Sequence, residues 1–129
     1  METNERIFDY KLRGYCCSQM IAAMILEDMN RENEDLIGAM GGFCNGMESE
    51  ETCGTLISSV AMLYMVDTKA ASQRLRAEFM DWFYDAYESF NCGDIVHDDP
   101  RLKMEICPEM IENCYNMLHE LLGEKLEID

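Results

Sequence analysis

The chain has 129 residues, 48% of them hydrophobic, with 26 acidic against 10 basic side chains and a formal net charge of −16. That length supports one domain with its own core rather than two, so residues 1–129 read as a single domain. The charge repels nucleic acid and anionic lipid headgroups, and because the acidic residues are dispersed and the apolar content is ordinary, disorder is a poor description.

Residues 1–10 carry Glu2, Glu5, Arg6 and Asp9 with no apolar stretch of the secretory kind, so export is not expected. The longest nearly uncharged apolar run, residues 53–66, is shorter than the ~20 residues a bilayer-spanning helix needs and predicts a buried helix, not membrane insertion. Seven cysteines without an export signal point to a reducing, cytoplasmic setting. There, free thiols, metal ligation or a transient disulfide outweigh a structural disulfide framework.

No segment shows the period-two alternation of a half-buried strand, and helical periods recur throughout. The expected fold is all-α: a bundle of about five helices around a central apolar helix. Met20, Ile21, Met24, Ile25 and Met29 mark a first long helix opening at Cys17. Leu36, Ile37 and Met40 mark a short second one, stopped by Gly41, Gly42 and Gly46. Ser49 is a candidate N-cap for a third, placing Glu50 and Glu51 in its first turn ahead of the all-round apolar run from Cys53. A broad stripe of Leu75, Phe79, Trp82, Phe83, Ala86, Tyr87 and Phe90 predicts a long helix from about Thr68, ended by Asn91 and Gly93. Residues 93–106 read as an ordered loop. Cys107-Pro108-Glu109 reads as the start of the last amphipathic helix, carrying Met110, Ile111, Cys114, Met117, Leu118, Leu121 and Leu122.

On this reading Cys17, Cys53 and Cys107 stand at helix starts and Cys92 just past a helix end. Unpaired amides and the positive end of the helix dipole at a helix start favour thiolate over thiol. At Cys53 the acidic Glu50 and Glu51 oppose that effect and leave the direction open. Cys16 points about 100° away from Cys17 on a helix and reads as a spare. Cys114 falls in an apolar stripe and reads as core. Cys44 sits in a glycine-rich turn as a possible extra metal ligand or a loop thiol. No Cys-x-x-Cys spacing is present, so thioredoxin-type, zinc-knuckle and haem-attachment motifs lack their signature. His97 and His119 read as solvated, and the 12 methionines as core filling.

Gly14-Tyr15-Cys16-Cys17-Ser18-Gln19, Phe43-Cys44-Asn45-Gly46-Met47, Thr52-Cys53-Gly54-Thr55-Leu56-Ile57-Ser58, Phe90-Asn91-Cys92 and Cys107-Pro108 together resemble the C_GCAxxG_C_C redox-active family, whose central motif reads CGAxxG. The resemblance covers about residues 14–122 and makes Cys17, Cys53, Cys92 and Cys107 the four characteristic cysteines. Cys16, Cys44 and Cys114 are then additions. Thr55 replaces the motif's alanine, Ser58 its glycine, and Cys44 a glycine of the family's turn. A related arrangement resembles part of the split-Soret cytochromes, which hold an iron–sulfur centre as well as haem. What the resemblance implies is a small redox protein whose four cysteines converge, either as a thiol/disulfide couple or as ligands of an iron–sulfur cluster or zinc. Its partner would be a redox protein or a small thiol, and an exposed strip of the aromatic helix allows a homodimer. The competing reading is a helical interaction module with structural cysteines. No phosphate loop, nucleophile elbow or paired-carboxylate motif supports a hydrolase or transferase.

Overall fold

The computed structural model describes residues 2–44, 46, 51–96 and 99–126, and among them the regular structure is helical apart from one isolated β-bridge. A helix not foreseen from the sequence comes first. α1 (Thr3–Leu12) is highly charged and buries only Ile7 and Tyr10, too few apolar positions to register as a stripe. α2 (Cys17–Asp28) follows the expected spacing but is buried far beyond one face, with every residue from Met20 to Leu26 inside. α3 (Glu34–Met40) starts where Asn33 accepts the Leu36 amide through its side chain at 3.0 Å, and it runs into a 3-10 turn, Gly41–Phe43.

α4 (Gly54–Val66) is the apolar helix expected at the centre, and it packs against α2 and both later long helices. Its start differs from the expectation. Cys53 is the N-cap and Glu51 lies outside the helix, while Ser49 and Glu50 fall outside the described residues. α5 is a continuous helical stretch of Thr68–Ala70, a π-helical segment Ala71–Leu75, and Arg76–Tyr87. Asp67 caps it by accepting the Ala70 amide at 3.1 Å, and Glu88 ends it in the left-handed conformation, three residues before Asn91. Leu75, Phe79 and Phe83 of the predicted stripe are fully buried, whereas Ala86 faces solvent.

The expected loop over residues 93–106 is largely helix instead. α6 (Cys92–Ile95) is one short turn, and α7 (Pro100–Leu122) begins well before Cys107. The physical reason is a second, earlier start signal: Asp99 accepts the Arg101 amide through its side chain at 2.9 Å, with proline next in the chain. Pro108 therefore sits inside α7, where it cannot donate to the carbonyl one turn back. A polar clasp holds α1, α2 and α7 together. Arg6 donates to the Tyr115 hydroxyl at 2.7 Å and to Asp28 at 3.1 Å, Tyr115 donates to Asp28, and His119 Nε2 lies 2.7 Å from the same carboxylate.

A candidate cysteine redox site

The site is assembled from four short pieces of chain. The first is the bridge between Thr52 and Asn91, flanked by Cys53 N–H donating to the Phe90 carbonyl at 2.7 Å and Cys92 N–H donating to the Glu51 carbonyl at 2.6 Å. Successive residues of extended chain point to opposite faces, so Cys53 and Cys92 share the face opposite Thr52 and Asn91. This pairing across nearly forty residues of chain had no sequence signature. Cys92 consequently opens a helix, α6, rather than trailing one.

The second piece is the start of α4. A Cβ built on Gly54 would lie 2.1 Å from the Phe43 carbonyl oxygen and 3.5 Å from Ser18 Cβ, so the motif glycine lets the turn before Cys44 and the first turn of α2 close onto Cys53. Serines lock this contact. Ser18 donates to the Met40 carbonyl at 2.7 Å, and Ser58 donates to the Ser18 carbonyl at 2.6 Å. Ser58, a departure from the family's glycine, thus holds α4 to α2. Thr55, the other departure, is fully buried and its hydroxyl has no partner among the described residues.

The third piece corrects two expectations. Cys16 is not a spare and Cys44 is not an additional ligand: they form a disulfide, with Cα atoms 5.9 Å apart. The Ser18 hydroxyl lies 3.3 Å from the Cys16 sulfur and 3.6 Å from that of Cys44. The geometry that set Cys16 aside is what pairs it. As N-cap of α2 it projects away from Cys17, toward the turn that Gly54 draws in. The available signal was that both cysteines fall outside the four of the family pattern.

The fourth piece is α7. Cys107 lies mid-helix, so the helix-start argument fails for it, but its position brings it to Cys17, and both line one cleft between α1, α2 and α7. Burial pushes the Cys107 thiol up to about 12, and charge on Cys17, Cys53 or Cys92 would push it further up than burial alone. Burial likewise raises Cys53 to about 11, and the first-turn amides of Leu56 and Thr55 recover only part of that. Desolvation therefore outweighs the helix terminus, and Cys53 and Cys107 are held as thiols at neutral pH. Cys114 is fully buried in the core, and burial raises it well above the ordinary range.

Among the described residues no three His, Cys, Asp or Glu side chains are gathered as a metal ion requires. The expected iron–sulfur or zinc set of Cys17, Cys53, Cys92 and Cys107 is thus not gathered as a ligand group among the described residues, and the sulfur of Cys44 is bonded to Cys16. The helices nevertheless deliver these cysteines in the order and setting of a known pattern. The family model described as "Putative redox-active protein (C_GCAxxG_C_C)" matches residues 15–121. The chain belongs to this family. No curated protein and no solved structure matches it. Among the described residues no helix is long and apolar enough to cross a membrane.

Proposed function

We propose that this C_GCAxxG_C_C family member is a thiol–disulfide redox protein in which Cys17 and Cys107 exchange electrons with a partner at the cleft, and Cys53 and Cys92 form a buried pair behind them. One observation carries this reading: Cys17 and Cys107 line one cleft, beside Cys16 of the Cys16–Cys44 disulfide. Two thiols within reach of one another oxidise as a pair, forming one S–S bond and releasing two protons and two electrons to the partner's disulfide. The partner is a redox protein or a small thiol.

The test is a thiol count on anaerobically purified protein before and after diamide, with a visible spectrum. The expected result is colourless protein that loses two thiols, regains them with dithiothreitol, and fails to lose them as Cys17→Ser or Cys107→Ser. Visible absorption with iron and sulfide in proportion, or thiols that never oxidise reversibly, would overturn the proposal.

A further inference from the structure

The cleft that exposes Cys17 and Cys107 encloses about 210 Å³, below the ~300 Å³ at which drug-sized pockets begin. Ile7, Met20 and Ile111 make its walls apolar, and Lys11 and Lys103 stand in its lining. In a chain of 26 acids and 10 bases, a lining with two lysines and no carboxylate is a local reversal of the field. Other clefts carry carboxylates, such as Asp94, Glu34 and Glu109. Among the described residues neither lysine is in an ion pair. Two ammonium groups beside apolar walls and two thiols fit a ligand with an anionic end, a short apolar body and sulfur at the other end. A large polar peptide disulfide matches neither the size nor the walls.

We propose that this cleft takes a small apolar dithiol or disulfide bearing a carboxylate, of the dihydrolipoate type, and exchanges two electrons with it through Cys17 and Cys107. This rests on the thiol–disulfide reading above. In the oxidised protein, one ligand thiolate attacks the Cys17 sulfur. The Cys17–Cys107 bond breaks, and Cys107 leaves with the electron pair and takes up a proton. Burial holds Cys107 high, so its departure is completed by that proton, and the charge of Lys103 offsets only a part of the burial. The second ligand thiolate then attacks the ligand sulfur held by Cys17, closing the ligand's own S–S bond and releasing Cys17, which is protonated in turn. The ligand is oxidised by two electrons, and two thiols appear on the protein. Lys11 takes no part in the sulfur chemistry and holds the carboxylate.

The experiment compares dihydrolipoate with its uncharged amide as reductants of the diamide-oxidised protein, following thiol release by stopped flow. The acid is expected to react faster, and Lys11→Gln to slow it about fivefold while leaving the amide unchanged. Equal rates for acid and amide, or a gap that survives Lys11→Gln, would overturn the assignment of substrate class while the redox reading stands. If diamide forms no Cys17–Cys107 disulfide at all, the redox reading fails and this proposal fails with it.

Discussion

Gly54 carries the closest backbone approach in the site, and Gly54→Ala tests whether that approach assembles the cysteines. The added methyl would sit 2.1 Å from the Phe43 carbonyl oxygen and 3.0 Å from its carbon. Both partners are backbone, so neither can rotate away, and the contact must open by roughly 1 Å to reach ordinary separation. Overpacking of this kind costs ~1–3 kcal/mol, against a helix-propensity gain of at most about 1 kcal/mol for replacing glycine. A net loss of about 2 kcal/mol, divided by a urea dependence of about 2 kcal/mol per molar, lowers the unfolding midpoint by about 1 M. Because the movement separates the Cys44 turn from α4 and Ser18, the Cys16–Cys44 disulfide should also be reduced at lower dithiothreitol concentration. Gly38→Ala in α3 is the control. Nothing lies within 4 Å of a Cβ there, and removing a helical glycine should stabilise by ~0.5–1 kcal/mol. Gly54→Ala unfolding at the parent's midpoint, with the disulfide equally resistant, would refute the reasoning.

Thr55→Val replaces a buried, unpartnered hydroxyl by a methyl of similar volume, and should raise stability by about 1 kcal/mol, read as a melting temperature roughly 4 °C higher; an unchanged melt would count against it. Ser58→Ala leaves the buried Ser18 carbonyl without its 2.6 Å donor, and a loss of ~1–3 kcal/mol is expected in urea denaturation. Asp28→Ala strips Arg6, Tyr115 and His119 of their shared acceptor, and a loss of about 2 kcal/mol is expected, with Asp28→Asn milder. For pH, the thiols of Cys53 and Cys107 are raised in the folded protein to about 11 and about 12, against an ordinary unfolded value of about 8.5. The unfolded chain thus loses these protons first, so their contribution is complete below pH ~8.5 and declines as pH rises through the folded values. The urea midpoint should fall between pH 7.5 and 10.5, and fall less in Cys53→Ala; an identical decline in both would show that burial of this thiol is not the cause.

Much of the fold was legible because apolar spacing is local. Met20 to Met29, Leu75 to Phe83 and Met110 to Leu122 announce their helices wherever they pack. Boundaries were less legible, because two signals of one kind competed. Asp99-Pro100 and Cys107-Pro108 both resemble helix starts, and α7 uses the first and absorbs the second. The charged α1 left no stripe because only Ile7 and Tyr10 are buried.

For the site, sequence by itself singled out Cys17, Cys53, Cys92 and Cys107 as the cysteines of the family pattern. It also determined that the helices are water-compatible outside and apolar within. Only the tertiary structure decided the surroundings of those sulfurs. Whether a thiol ionises depends on burial and on neighbouring charge, and both arise from segments distant in the chain: Cys92 meets Cys53 through one β-bridge, and Cys107 meets Cys17 across a cleft. The pairing of Cys16 with Cys44 was likewise hidden, since a disulfide records a distance in space and no local spacing in sequence encodes it.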